Sequence, residues 1–253
     1  MPPVIWYPLQ LKKIIQDTNT TWRFLFDLQY EDVFNYTPGQ FLTCDLPTGE
    51  KRAQRWRSYS IANANQKNNE IEFCISYKKE GLASEYFFNQ IKIGDIFKCK
   101  GPEGNFTLQT KNVSHLFMIC TGTGIAPFRS MLQELQSIGH EYTSVDLVFG
   151  TRKKDDIIYS DDISNWNEQI KNFQSHICLS REQPSENYLP LKSKFHHGYV
   201  HEAYKEILKN DSYPISSCLF MLCGWSEMID QAVQTLFLEL GFAREQMRFE
   251  LYG

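Results

Sequence analysis

Cys120-Thr121-Gly122-Thr123-Gly124-Ile125-Ala126-Pro127-Phe128 is where the chain states its architecture most clearly. The stretch follows the apolar run Leu116 to Cys120, which reads as a buried strand, and it opens the amphipathic run Phe128 to Ile138, which reads as a helix. Strand, glycine turn and helix start in succession form a cradle for a diphosphate. Gly122 and Gly124 lack a Cβ, so the backbone can turn tightly and come close to a ligand. The helix N-terminus then offers unpaired N–H groups and a partial positive charge to an anion. Pro127 suits the first helical turn, where no N–H is missed. The usual dinucleotide fingerprint carries a third glycine three residues after the second, and here Pro127 stands in that place. The same turn also serves strand–helix junctions that bind nothing, so the remainder of the chain has to support the reading.

Working outward, the 253 residues suggest two domains, and 42% hydrophobic content is enough for real cores. A net charge of −4 is too mild to favour nucleic acid. No apolar run approaches bilayer length, and the start Met1-Pro2-Pro3-Val4-Ile5-Trp6 shows neither a basic n-region nor an apolar h-region. The seven cysteines include no Cys-x-x-Cys pair and no iron–sulfur spacing. Most sit in apolar, strand-like runs, which suits buried thiols in a reducing, cytoplasmic setting. His196, His197 and His201 lie close in sequence without acidic or cysteine partners at ligand spacing, and no metal site is expected.

Two rhythms divide the chain near residues 111 and 112. Before that point the segments are short and alternate near period two: Thr21 to Leu28, Gln40 to Leu46, Glu70 to Tyr77, and Asp95 to Lys100. One helix, Ala83 to Gln90, interrupts them. This pattern predicts an antiparallel β-barrel domain over residues 1–111. From Asn112 onward strands and helices alternate. The expected strands are Leu116–Cys120, Ser144–Phe149, Ser175–Leu179, Cys218–Cys223 and Met247–Leu251. The expected helices are Phe128–Ile138, Ile163–Lys171, His201–Leu208 and Glu227–Leu240. Such alternation predicts an α/β domain with a parallel sheet over residues 112–253.

Within the first half, Arg57-Ser58-Tyr59-Ser60 places an arginine and a tyrosine on one side of a strand. An arginine can fork onto phosphate, a tyrosine ring can stack on a planar ligand, and the Ser60 hydroxyl can donate or accept beside that ring. The plainer alternative is a surface strand in the basic run Lys51, Arg52, Arg55, Arg57. Further on, Gly81-Leu82-Ala83-Ser84 begins the helix. Ser84 stands either by a second phosphate or as a simple N-cap.

These pieces, in this order, resemble the ferredoxin–NADP reductase superfamily. The motifs are Arg57-Ser58-Tyr59-Ser60, Gly81 to Ser84, Gly101-Pro102-Glu103-Gly104-Asn105-Phe106, Gly122 to Pro127, Cys223-Gly224 and Glu250-Leu251-Tyr252, and they span nearly the whole chain. The resemblance implies an FAD-binding barrel, a nicotinamide-nucleotide domain, and hydride transfer with the cofactors carrying the redox chemistry. By the same resemblance, Arg57 and Ser84 bind the flavin phosphates, Tyr59 stacks on the isoalloxazine and Ser60 lies near its N5. Ser58, Ile75, Tyr77, Gly81, Leu82 and Ala83 complete the flavin site. Thr121, Gly122, Thr123, Gly124 and Pro127 hold the nucleotide diphosphate, and Cys223 and Gly224 border the nicotinamide. Glu250 is implied as a proton or polarity partner, and Tyr252 as the cover of the flavin face; the chain runs one glycine beyond that aromatic. Ser60, Cys223, Glu250 and Tyr252 are thus the expected catalytic residues.

Ser180-Arg181, followed by Tyr188, resembles the family's 2′-phosphate site, and Arg152-Lys153-Lys154 follows the second strand of the same domain. NADPH is therefore expected over NADH, although Asp155 and Asp156 offer Arg152 a local partner. No fused iron–sulfur or oxygenase segment is visible, so electrons are expected to leave to a separate ferredoxin or flavodoxin. Lys51, Arg52 and Arg55 could meet such an acidic carrier. An oxygenase reductase component, a free-flavin reductase, or a flavin-binding electron-transfer subunit without nucleotide turnover are the competing readings.

Overall fold

The computed structural model describes residues 4–108, 113–185, 191–210 and 213–252. The chain gathers into two compact units, residues 1–108 with 126–134, and residues 109–125 with 135–253. The division expected between residues 111 and 112 lies outside the described residues.

The first unit is built on six antiparallel strands: β1 (Tyr7–Gln16), β2 (Thr21–Leu28), β3 (Phe41–Asp45), β4 (Trp56–Ser60), β5 (Glu70–Ser76) and β6 (Ile96–Glu103). Their order is β4-β3-β6-β1-β2-β5. The sheet curls until its two edges approach. The Ala62 amide, just past β4, donates to the Glu72 carbonyl of β5 at 2.9 Å, and the Tyr59 ring of β4 lies 5.3 Å from that of Phe73 on β5. This is the expected barrel-like sheet. Alternation sends Phe24 and Phe26 of β2, Phe73 of β5 and Cys99 of β6 inward, and all are fully buried. Truncating any of the three phenylalanines to alanine costs about 3–5 kcal/mol. Two helical segments decorate the sheet: α1 (Arg52–Arg55), and α2 (Leu82–Glu85), which runs on as a π-helical turn over Tyr86–Gln90.

β1 is absent from the sequence-based reading. Its polar pair Lys12-Lys13 coincides with a register irregularity between Leu11 and Lys13, which breaks the period-two pattern.

Within the same unit Glu72 is buried among cations. Arg129 Nη1 lies 3.3 Å from its Oε2 and Arg23 Nη1 lies 3.8 Å from its Oε1. Arg129 also donates to the Ala62 carbonyl at 3.0 Å.

The second unit has six parallel strands: β7 (His115–Thr121), β8 (Ser144–Thr151), β9 (Phe173–Leu179), β10 (Lys194–His197), β11 (Cys218–Gly224) and β12 (Met247–Leu251), ordered β10-β9-β8-β7-β11-β12. The helices in chain order are α3 (Ile125–Ile138), of which residues 126–134 group with the first unit, α4 (Ser160–Gln169), α5 (Val200–Asn210) and α6 (Ser226–Gln234), the last continued by a π-helical turn over Thr235–Glu239. Leu116 to Cys120 are all fully buried, as strands covered on both faces require. α5 and α6 pack Ala203, Ile207, Ile229 and Ala232 with Phe117, Ile119, Phe220 and Leu222 on one face. α4 lies on the other face, where Asn167 hydrogen-bonds Ser175 of β9.

The expected strands and helices are present, with helices starting earlier than read: Ile125 rather than Phe128, and Ser160 rather than Ile163. The short polar edge strand β10, Lys-Phe-His-His, is the addition. Among the described residues no helix is long and apolar enough to cross a membrane.

Two stability predictions follow from this packing. Replacing Arg129 with methionine removes the guanidinium that lies 3.3 Å from the buried Glu72 carboxylate, and the unfolding free energy of the first unit is expected to drop by about 3–5 kcal/mol; a urea titration measures it. In the second unit, burial holds His115, His140, His196 and His201 below the ordinary imidazole range, with His176 adding to the effect at His196 and Lys205 at His201. Their folded-state values lie below their unfolded ones, so the unfolded chain binds more protons once pH falls below about 6.5. Their contribution is present above that value and is lost on acidification. The urea midpoint of this unit is expected to be lower at pH 5.5 than at pH 7.5.

Candidate functional site

The implied site residues form two groups, one in each unit. In the first unit, register fixes how β4 presents its motif. Arg57 pairs with Cys44 and Tyr59 with Leu42, both fully buried, so Arg57 and Tyr59 share the inner side of the sheet. Tyr59 also stands edge-on to Phe87, with centroids 5.5 Å apart. Burial, and then the neighbouring Cys44, push its phenol well above the usual tyrosine range. Its ring is thus a neutral, seated platform. Ser60 is only 6% exposed at the end of the strand. Arg57 folds back, with Nη1 donating to the Ala53 and Trp56 carbonyls at 2.7 Å each.

Ser58 is on the opposite side of β4 from Tyr59. Its hydroxyl is 3.1 Å from Thr43 Oγ1, and it lines an outward cavity of about 520 Å³ with Arg52, Trp56 and Lys100.

The basic run beside the motif is largely committed. Arg55 makes a forked pair with Asp45, with Nε to Oδ1 at 2.7 Å and Nη2 to Oδ2 at 2.5 Å, and Arg52 stacks 3.7 Å over the Trp56 ring.

At α2 the N-cap is Gly81, not Ser84. Ser84 is buried in the first turn and donates its hydroxyl proton to the Lys78 carbonyl at 2.7 Å or the Gly81 carbonyl at 3.0 Å. The amides of Leu82, Ala83 and Ser84 are the first-turn donors that an anion could use. Ile75 is buried in β5 opposite Trp22. Tyr77 donates to Glu85 Oε2 at 3.1 Å and rests on Phe88.

In the second unit, the Gly-Thr-Gly turn is a single 3₁₀ turn, Gly122–Gly124, between β7 and α3. It sits where strand order reverses, since β8 lies on one side of β7 and β11 on the other. That crevice at the carboxyl ends of the strands is where open α/β sheets bind ligands.

Contact there is backbone to backbone. A Cβ on Gly124 would stand 2.3 Å from the Cys223 carbonyl oxygen. One on Gly224, whose φ is +148°, would stand 2.4 Å from Thr121 Oγ1. Gly122, at φ +53°, faces open space. Thr121 Oγ1 is buried without a hydrogen-bond partner, as expected of an atom that awaits a ligand donor.

Cys223 pairs in register with Cys120 on one side and with Glu250 on the other, and the Tyr252 amide donates to the Gly224 carbonyl at 2.9 Å. Burial first, and then the charge of Glu250, push the Cys223 thiol well above its usual range; Tyr252 offsets this slightly. Thr121, Gly122, Gly124, Cys223, Gly224, Glu250 and Tyr252 are therefore neighbours at one end of three adjacent strands.

The loops after β8 and β9 are tied together: the Ser180 amide donates to the Thr151 carbonyl at 3.0 Å and the Arg181 amide to the Arg152 carbonyl at 2.9 Å. This sets Arg152 and Arg181 side by side. Asp156 takes the Arg152 guanidinium through two bonds of 3.0 and 3.1 Å, while Arg181 is exposed. Tyr188 lies outside the described residues. Gly150 was not anticipated. Paired with Thr121 one residue before the end of β8, it would place a Cβ 2.8 Å from Val200 and 3.0 Å from the Thr121 methyl. Its only sequence signal is a glycine that interrupts an apolar strand.

A glycine turn at the switch point and an aromatic–arginine strand on a barrel define the class: a two-domain oxidoreductase that uses a flavin and a nicotinamide nucleotide. Comparison with known proteins agrees. The profile of the oxidoreductase FAD-binding domain matches residues 8–108 and that of the oxidoreductase NAD-binding domain matches residues 118–234. The chain belongs to the ferredoxin–NADP reductase family.

It is 29% identical over 200 residues to the reductase component of propane 2-monooxygenase from Mycolicibacterium goodii, covering 79% of this chain and 54% of that protein. It is 28% identical over 235 residues to ferredoxin–NADP reductase B of Sorangium cellulosum, covering 90% and 92%. The chain spans about half the length of the first curated relatives it matches. The crystal structure of a ferredoxin NADP⁺ reductase from Neisseria gonorrhoeae with bound FAD and NADP superposes with a TM-score of 0.81 at 23% identity, over 97% and 98% of the two chains.

The close approach at the turn makes a prediction. Gly124→Ala must push the turn away from β11, so it is expected to lower the thermal stability of the second unit by about 1–3 kcal/mol and to abolish nucleotide retention on an immobilised dye. Gly122→Ala meets only backbone strain of about 1–2 kcal/mol and is expected to keep measurable retention.

Proposed function

We propose that the chain is an NAD(P)H-dependent flavoprotein reductase that exchanges electrons with a separate one-electron carrier, a ferredoxin or a flavodoxin. The observation that carries this reading is the gathering of Thr121 to Gly124, Cys223, Gly224, Glu250 and Tyr252 at the switch point. FAD and a nicotinamide nucleotide, when bound, supply the chemistry: a hydride moves between them and the electrons depart singly.

The chain's own residues bind and orient. Arg57, with the α2 first-turn amides and Ser84, holds the flavin phosphates; Tyr59 offers its seated ring to the isoalloxazine; Ser60 serves the N5 edge. The Gly122–Gly124 amides hold the nucleotide diphosphate, Cys223 borders the nicotinamide as a protonated thiol, and Glu250 and Tyr252 complete the pocket wall. Residues 1–111 and 112–253 are the proposed flavin and nucleotide domains. A cytosolic location accords with seven free, buried cysteines.

A ferredoxin or flavodoxin carrier is supported by the Sorangium cellulosum relative, which matches along 92% of its length. A reductase role beside an oxygenase is the second reading, favoured by relatives named as the reductase component of propane 2-monooxygenase and as the electron transfer component of anthranilate 1,2-dioxygenase. The test is anaerobic reduction of the FAD-loaded protein by NADPH, followed by transfer to ferredoxin, flavodoxin, free FMN or ferricyanide. Bleaching of the flavin and transfer to a protein carrier are expected. Flavin that stays oxidised would falsify the reading, and transfer to free FMN alone would replace the carrier assignment.

NADPH preference is assigned to Ser180 and Arg181 beside Arg152. Because Asp156 already occupies Arg152, Arg181 carries the discrimination. Loss of a charge-assisted bond of about 1.5–3 kcal/mol predicts that Arg181→Ala lowers kcat/KM for NADPH about tenfold to a hundredfold, with little change for NADH. An unaltered NADPH/NADH ratio removes the assignment.

A further inference from the structure

β12 is the outermost strand of its sheet, and among the described residues nothing pairs with its free side. The direction of its backbone groups is set by one bond: the Tyr252 amide donates inward to Gly224 of β11. Amides two residues apart on a strand point the same way, so those of Glu250 and Arg248 also face β11. The backbone groups of Met247, Phe249 and Leu251 therefore face outward. The Met247 N–H is taken by the Arg244 carbonyl, which leaves its carbonyl and both groups of Phe249 and of Leu251 on the open edge.

Arg248 and Glu250 put charge on this short edge, but large apolar side chains are also bare on it. Phe249 is 54% exposed and Leu251 57%, and both lie on the face that holds Leu222. Trp225, immediately after the Gly224 that pairs with Leu251, is 62% exposed. The strand has no proline and its register against β11 is unbroken. Natural edges usually carry such protections.

A second copy of the chain fits this edge, and the sequence Met247-Arg248-Phe249-Glu250-Leu251 selects its register. Antiparallel pairing across a two-fold axis must set outward-facing residues opposite one another, which allows centres at residue 248, 249 or 250. Centring on Arg248 opposes two arginines, and centring on Glu250 opposes two glutamates. Like charges directly opposite are destabilising. Centring on Phe249 opposes Arg248 to the partner's Glu250 twice, in positions that are not hydrogen-bonded, where Cα atoms come within about 4.5 Å and side chains meet. It also stacks Phe249 on the partner's Phe249, and sets Met247 against the partner's Leu251.

We infer that β12 is the homodimer interface of this protein, joining two six-stranded sheets by antiparallel pairing centred on Phe249. The pairing uses four edge hydrogen bonds: Phe249 N–H to the partner's Phe249 carbonyl and Leu251 N–H to the partner's Met247 carbonyl, each made twice. It also puts the partner's Arg248 beside Glu250, a residue of the proposed site. The interface itself does not depend on the functional reading, because it is measured on the folded protein whether or not it turns over nucleotide.

Sedimentation velocity of the flavin-loaded chain at about 50 μM is the first measurement, since dimer content depends on concentration. A dimer is expected, with Phe249→Lys monomeric at the same concentration. Arg248→Glu should weaken association by at least about tenfold, and Arg248→Glu with Glu250→Arg should restore it, whatever that pair does to activity. Cysteine variants give a test that does not require a destabilised strand. Phe249→Cys places two thiols on Cα atoms about 5.5 Å apart, within disulfide range, and should cross-link under mild oxidant. Leu251→Cys places them about 14 Å apart and should not. A monomer at every concentration, a dimer indifferent to Phe249→Lys, or equal cross-linking of the two cysteine variants overturns the interface.

Discussion

The second unit rests on the approach of one backbone to another: the Gly124 turn against the carbonyl that ends β11. Only the missing side chain lets the turn settle there. Thr121, Gly224 and Gly150 repeat the arrangement around it, so the carboxyl ends of β7, β8 and β11 are drawn together with glycine as the spacer. The strand order then matters. A crevice opens where the strand order reverses, with β8 on one side of β7 and β11 on the other, and the turn fills its floor. Around that floor stand the first-turn amides, with the Thr121 hydroxyl buried beneath them and Cys223, Glu250 and Tyr252 at the adjoining strand ends.

The first unit achieves rigidity by the opposite means. Tyr59 is fixed by side-chain packing, with Phe73 and Phe87 beneath and beside it and an inner register shared with Arg57. A planar ligand meeting that ring would find it already ordered, so little rotamer entropy remains to be lost on binding. The arginines nearby differ in availability. Arg55 and Arg52 are spent on Asp45 and Trp56, whereas Arg57 donates to the main-chain carbonyls of Ala53 and Trp56, which an anionic phosphate can replace.

Much of this was legible from residues alone, because the strongest signals are local. Five apolar residues before a glycine turn read as a buried strand, and the alternation of Glu70 to Ser76 reads as an antiparallel one, although Ile71 to Ile75 prove to be buried on both faces. β1 escaped because a bulge next to Lys12 and Lys13 scrambles its period, and β10 because a polar four-residue edge strand has no period to show. At the site, Thr121 to Gly124 and Cys223 announced themselves, but Gly150 did not: its role is a distance to Thr121, which no spacing encodes. Ser84 shows a subtler limit. A serine near a helix start suggests a cap, yet Gly81 begins the helix and the serine ties back to Lys78 from inside the first turn.

The distribution of thiols has a practical meaning for how this molecule can be watched. All seven are free and buried, Cys44, Cys74 and Cys99 in the barrel and Cys120, Cys178, Cys218 and Cys223 in the parallel sheet. Burial raises Cys44, Cys120 and Cys223 well above the ordinary thiol range and lifts Cys99 and Cys178 to about 12. An alkylating reagent therefore has no surface target and reacts only when a strand opens. The order in which peptides from the two sheets acquire label is a built-in clock for which half breathes first, read by mass spectrometry without any added probe.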